Sequence, residues 1–375
     1  MLRSIAIVVI ICATLCPTPV WAEAPAERCA PIQPLFKNAS CRSNDRGVAI
    51  ATTPEKAMRL LAHAETARPL FEAAFETSAG TYAIIESGQD GIAMSLQDQV
   101  RRSGFDIVLV WLSADGFAAQ VENSIRRTVE ARLMQSGVDE KAREAAIASA
   151  VAQARQQLIK AQSPEERDAT VVPHELGHKW FKNAFWPGVE GIEQSHYGGP
   201  APDWMDELAA VILEPDASKS QRRAQFWSRY HSIKAKTTDR NHADHRLLDL
   251  AAFLQSDHPM KSVTARISKE AAETGVSGFR VMVGDDTGAS QNAALFYLQS
   301  LLVADFLEEA SGNRAIFAEI ARSLTKGQTF GKWLAVEGAA HRLPTSENAF
   351  VGAWLDWLDR KARLRPPMKD ASATG

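Results

Sequence analysis

The stretch Val171–Phe181, "VVPHELGHKWF", decides how the rest of the chain is interpreted. It places His174 and His178 four residues apart, with Glu175 beside the first histidine. On an α-helix, residues four apart lie one turn above each other on the same face, so both imidazoles can point at one ion. Glu175 lies beside them, within reach of a water molecule that such an ion holds. The stretch therefore predicts a helix that carries two metal ligands and a general base.

A polar helix surface with two solvent-facing histidines is the alternative interpretation of this stretch. The neighbouring side chains argue against it, because most of them are large and apolar: Val171, Val172, Leu176, Trp180 and Phe181. Imidazoles and a carboxylate in a buried helix are costly unless a partner satisfies them. A metal with nitrogen and oxygen ligands does so, and zinc is the usual one. We therefore expect one bound Zn²⁺.

A catalytic zinc site requires a third protein ligand and one open position. The downstream candidates are Glu193, His196, Asp203, Asp206, Glu207 and Glu214. The stretch "APDWMDELAAVILE", residues 201–214, favours Glu207. Pro202 and Asp203 are typical of a helix start, which puts Glu207 one turn inside an otherwise apolar helix. A carboxylate there needs a partner, so Glu207 is expected to complete the ligand set with the two histidines.

Several other polar residues have more ordinary interpretations. Asp206 either orients a ligand histidine or simply stabilises the N-terminus of its helix. His196 and Tyr197, in the loop 182–202, are expected to be exposed loop residues. Four further histidines in polar surroundings are expected to lie on the surface, without a role: His231, His242, His245 and His258.

Together, "HELGHKWF" and "WMDELAAVILE" resemble the gluzincin zinc metallopeptidases, specifically the aminopeptidase-N-like and leukotriene-hydrolase-like group with a peptidase MA-like catalytic domain. That group carries H-E-x-x-H-x-W-F, then a helix of the form W-L-N-E-G-F-A with a further glutamate seven residues on. The matching residues are Trp180, Phe181, Trp204, Glu207, Ala210 and Glu214. The chain differs at Asp206, usually Asn, and at Leu208, usually Gly, and it has a longer spacer before Glu207. The resemblance implies a thermolysin-like α+β catalytic domain and hydrolysis of a peptide or protein substrate.

A second match begins at Tyr297, in "YLQSLLVADFLEEASG". The related helix of the family begins with the catalytic tyrosine, followed by a small residue, a leucine and a glycine, here Ser300, Leu307 and Gly312. Without the resemblance, Tyr297 would be read as a core tyrosine with a satisfied hydroxyl. The resemblance implies that this hydroxyl faces the zinc, where it would stabilise an oxyanion. Tyr297 and Glu175 are thus the catalytic candidates.

One family feature has no counterpart in the sequence. The exopeptidases carry a G-x-M-E-N strand whose glutamate binds the free amine of the substrate, and the nearest run, "GIAMSLQ" at 91–97, lacks the carboxylate. Endopeptidase and exopeptidase action therefore both remain open. Three rival functions remain as well: a zinc hydrolase of a non-peptide substrate, an inactive binding module with the gluzincin fold, and a structural zinc protein.

The N-terminus has the layout of a secretory signal peptide. Residues 1–22 contain one early arginine, an apolar run too short to span a bilayer, two prolines and small residues at the end. We therefore expect export to the periplasm or the extracellular space, with no transmembrane segment after cleavage. Cys29 and Cys41 then remain and are expected to form a disulfide, although zinc ligation is the alternative. The formal net charge of −3 and the lack of basic runs argue against nucleic acid as a partner.

The remaining sequence predicts strands early and helices late. Residues 54–78 predict a helix broken near Pro69, 81–86 and 105–113 predict strands, and 117–161 predict a helical hairpin. Helical pattern resumes at His174. We therefore expect an α+β chain with a small N-terminal strand region and a mostly helical C-terminal part. The expected divisions are a signal peptide (1–22), a disulfide-containing segment (23–53), a zinc peptidase-like domain (54–363) and a disordered tail (364–375).

Overall fold

A computed structural model describes residues 28–161, 163–189, 199–236, 242–277 and 287–365. The predicted signal peptide lies outside the described residues, as does the expected tail from residue 366 onward. Residues 190–198 of the loop 182–202 also lie outside them, so Glu193, His196 and Tyr197 have no structural account.

A four-stranded sheet is formed by the N-terminal part of the chain. Its strands are β1 (Ser40–Ser43), β2 (Gly47–Ala51), β3 (Tyr82–Ser87) and β5 (Ile107–Leu112), in the order β1-β2-β3-β5. β1 is antiparallel to β2, whereas β2, β3 and β5 run parallel. A separate two-stranded pair joins β4 (Ile92–Ala93) to β6 (Val276–Ser277). The two predicted strands are confirmed as β3 and β5, whereas β1 and β2 were not predicted.

The sheet packs on both faces, because successive strand residues point to opposite sides. One face contributes to the main hydrophobic core, through residues such as Ala49, Ile84 and Leu109. The other face forms a smaller cluster with Val48, Ile85 and Val108, against which the Cys29–Cys41 disulfide packs. The disulfide predicted from the sequence is therefore present, on the side of the sheet away from the main core.

The rest of the described chain is mainly helical. The helices are α1 (Pro54–Phe75), α2 (Met94–Arg102), α3 (Ala114–Gln135), α4 (Glu140–Ala161), α5 (Pro164–Phe185), α6 (Asp203–Val211), α7 (Asp216–Lys234), α8 (Leu250–Gln255), α9 (Lys261–Thr274), α10 (Thr287–Ser311), α11 (Ile316–Thr325), α12 (Phe330–Glu337) and α13 (Glu347–Arg363). Short 3-10 helices cover Gln33–Leu35, Ala243–Leu248 and Gly338–His341. The expected α+β class is confirmed: a small N-terminal sheet precedes a mostly helical chain. None of the described helices combines the length and the apolar composition needed to cross a membrane.

Three predicted helix boundaries were wrong. α1 is continuous through Pro69, since the buried residues Phe71 and Phe75 continue its packing beyond the proline and outweigh the lost hydrogen bond. α5 begins at Pro164 rather than at His174, because Ser163 and Glu166 form a reciprocal capping box. α5 also continues to Phe185, into the predicted loop 182–202. The histidine motif therefore lies within a helix and not at its start.

The predicted helical hairpin is confirmed as α3 and α4. Gly137 adopts a positive φ of 68° between the two helices, which a glycine allows without strain. Asp139 then accepts a hydrogen bond from the backbone N–H of Ala142 at 3.0 Å, in the first turn of α4.

The aromatic residues of the α5 motif anchor this helix to the sheet layer. The Trp180 ring lies 5.7 Å from that of Phe71 on α1 and 6.0 Å from that of Tyr82 on β3, between ring centroids. Phe181 lies 5.2 Å from Phe75. These buried contacts fix the rotation of α5 about its own axis. Its two histidines therefore point away from the sheet, toward α6.

Candidate metal centre

Three side chains from two helices converge at one point. His174 and His178 come from α5 and Glu207 comes from α6, and one potential ligand atom of each lies within 4.8 Å of the others. His174 Nε2 is 3.4 Å from Glu207 Oε1, and His178 Nε2 is 3.6 Å from Glu207 Oε2. All three residues are buried. The structure therefore brings together the ligand set that the sequence predicted, as a group that could hold a metal ion.

The Glu207 carboxylate tests whether this group fits a cation. The residue is 0% exposed, and neither of its oxygens accepts a hydrogen bond from the described part of the chain. Burial raises the pKa of Glu207, although the two neighbouring imidazoles act in the opposite direction. A buried carboxylate without hydrogen-bond donors is costly, and a divalent cation between it and two imidazoles would remove that cost. The residues present therefore fit a metal ion.

Gly177 explains how the two helices approach closely enough to bring these ligands together. A β-carbon built on Gly177 would lie 2.7 Å from Ala210 Cα and 2.8 Å from the carbonyl oxygen of Ala209. Both atoms belong to the backbone of α6, so no side-chain rotation could make room. The glycine within the α5 motif is therefore a packing requirement of the site.

His174 is held by a buried carboxylate on its far side. Its Nδ1 lies 3.0 Å from Oε1 of Glu214. The Glu214 carboxylate also accepts two hydrogen bonds from Arg222, one at each oxygen, at 2.6 and 2.7 Å. Burial by itself raises the pKa of Glu214, but His174 and Arg222 outweigh it and lower this pKa. An ionised Glu214 can only accept, so Nδ1 of His174 carries a hydrogen and Nε2 is the atom directed at Glu207.

The charge of His174 depends on these carboxylates. Burial by itself lowers the pKa of His174, but Glu207, Glu214 and Glu175 outweigh it and raise this pKa to about 9. This raised pKa favours the protonated ring at neutral pH when no cation is bound.

His178 has a parallel arrangement. Its Nδ1 lies 3.1 Å from Oδ1 of Asp206, and Oδ2 of Asp206 lies 3.2 Å from the buried Lys182 Nζ. Burial by itself raises the pKa of Asp206, but Lys182 and His178 outweigh it and lower this pKa to about 2. Of the two roles that the sequence left open for Asp206, the geometry supports the orientation of a ligand histidine.

The two catalytic candidates also lie at this centre. Glu175 is buried at 7% exposure beside His174 on α5, and its charge contributes to the raised pKa of that histidine. Tyr297, on α10, places its ring 5.7 Å from the His174 ring, between centroids, and is partly exposed. The Arg222 guanidinium carbon lies 5.2 Å from the centre of the Tyr297 ring. Tyr297 is thus adjacent to His174, one of the three candidate ligands.

His258 is a residue of this centre that the sequence did not indicate. It was expected on the surface, yet its side chain is 0% exposed and its Nε2 lies 3.8 Å from Oε2 of Glu207. No spacing rule connects it to the two motifs, because it lies in the connection between α8 and α9. Two of the other histidines that were expected on the surface have partners elsewhere: His231 contacts the carbonyl of Arg365, and His242 caps the 3-10 helix that follows it.

Comparisons with known proteins identified no relative of this chain. No family model, curated protein or solved structure matches the chain.

Proposed function

We propose that this chain is an exported, zinc-dependent peptidase of the gluzincin type, with a thermolysin-like catalytic domain. The observation that carries the proposal is the buried group of His174, His178 and Glu207, together with the buried Glu175, whose charge contributes to the raised pKa of His174. Two histidines and a glutamate are a recurrent ligand set of catalytic zinc, which keeps one position open for water or substrate. A structural zinc site, by contrast, is closed by four protein ligands.

The ligand residues supply the chemistry that selects zinc. His174 and His178 would bind through Nε2, since their Nδ1 atoms face Glu214 and Asp206. When bound, zinc acts as a Lewis acid that lowers the pKa of water and polarises a carbonyl group. Glu214 and Asp206, the two outer carboxylates, are neutralised by Arg222 and Lys182. Glu207 is therefore the ligand residue whose charge offsets that of the cation.

Glu175 would act as the general base. Glu175 directly follows the first ligand histidine on the same helix, and its carboxylate would take the proton of the attacking water as the peptide carbonyl carbon becomes tetrahedral. It would later return the proton to the leaving amine. Tyr297, whose ring adjoins His174, would donate its hydroxyl hydrogen to the developing oxyanion.

Export is supported by the disulfide of the described chain. Cys29 and Cys41 form this bond, which is typical of oxidising compartments. Together with the signal-peptide layout of residues 1–22, it favours a periplasmic or extracellular location for the proposed peptidase.

Two measurements on purified protein test the proposal: metal content before and after chelation, and cleavage of a casein-type mixed substrate. We expect one zinc per chain and chelator-sensitive cleavage. Glu175→Gln is the matched variant, expected to keep the zinc while cleavage falls by about 10²–10⁴-fold, the usual contribution of a general base. Full activity in this variant would refute the assignment of Glu175. Bound zinc with no peptide cleavage would point instead to a non-peptide substrate or to a binding module.

A further inference from the structure

His258 approaches the third ligand residue from outside the predicted motif. Its Nε2 lies 3.8 Å from Glu207 Oε2, whereas Glu207 Oε1 faces His174 at 3.4 Å. The two oxygens of the carboxylate therefore have different surroundings. Oε2 lies between His178 and His258, and Oε1 lies beside His174.

The hydrogen bond on the other ring nitrogen determines what His258 can do. The backbone N–H of Met260 donates to His258 Nδ1 at 3.1 Å. A neutral imidazole whose Nδ1 accepts a hydrogen bond carries its hydrogen on Nε2. The atom that faces Glu207 is therefore a donor. It cannot ligate a metal unless the bond from Met260 is given up.

The position of the His258 ring is set by α6 and α10 together. The backbone N–H of His258 donates to Asp203 Oδ2 at 2.7 Å, and Asp203 lies one turn before Glu207 on α6. The ring stacks on Tyr297 with 5.6 Å between centroids, and it meets Phe296 edge-on at 4.8 Å. The same helix thus supplies both Glu207 and the anchor of the histidine that faces it.

We propose that His258 is a positioning residue: its Nε2–H lies 3.8 Å from Oε2 of Glu207, just outside hydrogen-bond range, and moves within range to orient this carboxylate when Glu207 binds a cation. The proposal rests on the metal site of the proposed function and adds a residue to it. A donor at Oε2 leaves Oε1 as the oxygen available to the ion. It also places a hydrogen-bonding group between the ligand carboxylate and Tyr297.

Zinc affinity measured by chelator competition tests this role without any assay of peptide cleavage. His258→Leu removes the donor and should weaken zinc binding by about 10–100-fold, as loss of a partner to a ligand does elsewhere. His258→Gln keeps an N–H donor on a side chain of similar reach and should stay within about threefold of the parent protein. His341→Leu is the matched control, because this ring stacks on Trp333 instead of a residue of the metal centre, at 5.6 Å.

A nitrogen-15 spectrum of the histidine rings supplies a second readout on the zinc-loaded parent protein. His258 should show a hydrogen on Nε2 and none on Nδ1, whereas His174 and His178 should show metal-bound Nε2. Three results would overturn the proposal: parental zinc affinity in His258→Leu, equal loss in the Leu and Gln variants, or a metal-bound nitrogen on His258. A parent protein that binds no zinc would refute the metal site itself. The zinc affinity of the parent protein therefore distinguishes failure of the metal site from failure of the role of His258.

Discussion

Gly177 on α5 and Ala210 on α6 lie in backbone contact, with only 2.7 Å between a β-carbon built on the glycine and Ala210 Cα. Glu207 lies three residues before Ala210 on the same helix, and His174 and His178 flank Gly177 on the other. The distance between the two helices therefore influences how close the two histidines come to Glu207. Adding a single methyl group at this contact should therefore displace the residues of the candidate metal centre.

Gly177→Ala should lower the free energy of unfolding by about 1–3 kcal/mol, because an added methyl group in a closely packed core forces the backbone apart. The same displacement should weaken zinc binding, since Glu207 moves with α6. Denaturant unfolding of the metal-free protein and chelator competition measure the two effects. Gly352→Ala is the control, because the added carbon meets nothing within 4 Å apart from its chain neighbours and the nearby backbone of its own helix, and it should not lower stability. Unchanged stability and affinity in Gly177→Ala would show that the contact is not limiting.

Glu207→Gln should abolish zinc binding at stoichiometric concentrations, because the amide lacks the charge that neutralises the cation. We expect a loss of affinity beyond the roughly 100-fold that follows loss of an outer partner. The variant should still fold, since it replaces a buried carboxylate that accepts no hydrogen bond from the described residues. Metal analysis after gel filtration measures the outcome, and a fully loaded variant would remove Glu207 from the ligand set.

Replacing either outer carboxylate, Asp206 or Glu214, by its amide should weaken zinc binding more than it weakens the fold. Asp206→Asn and Glu214→Gln each replace the partner of a ligand histidine, so zinc affinity should fall by about 10–100-fold. Glu214→Ala differs, because it leaves Arg222 largely buried without its carboxylate. It should lower the free energy of unfolding by about 3–5 kcal/mol. Equal stability of the Gln and Ala variants at position 214 would contradict this distinction.

Zinc binding should strengthen as the pH rises from about 6 to about 8. The pKa of His174 is raised to about 9 in the metal-free protein, so the ion must displace a proton throughout this interval. Affinity should then rise by about tenfold per pH unit and level off near pH 9. The raised pKa also stabilises the metal-free fold below the unfolded histidine pKa, and this contribution is lost as the pH rises toward 9. Calorimetric titration in buffers of different ionisation enthalpy counts the released proton, and a count of zero would contradict the prediction.

Loss of the disulfide should weaken the fold but not the metal centre. The double variant Cys29→Ser, Cys41→Ser opens a short loop and should cost about 2–3 kcal/mol of unfolding free energy. The disulfide packs on the face of the sheet opposite the main core, so zinc stoichiometry should stay at that of the parent. Thermal unfolding with and without reductant, together with metal analysis, separates the two effects. A loss of zinc would contradict the prediction.

Much of the metal centre is encoded in local spacing. The period of an α-helix is enough to put His174 and His178 on one face, and a carboxylate within an apolar helix is enough to single out Glu207. The hairpin of α3 and α4 was equally accessible, because Gly137 and Asp139 act on residues close in sequence. The capping box at Ser163 is also local. The predicted helix start at His174 was wrong because it rested on the histidine motif alone.

Contacts between segments that are distant in sequence could not be predicted from local spacing. β1 and β2 are recognisable as strands only through their pairing with each other and with β3, which is remote in sequence. The choice between the two roles of Asp206 required the position of His178, on another helix. His258 carries no signal of its own, since its place beside Glu207 depends on a backbone hydrogen bond to Asp203 and on stacking against Tyr297. Helical periodicity is a property of neighbouring residues, whereas the burial and partners of a loop histidine exist only once the helices have packed.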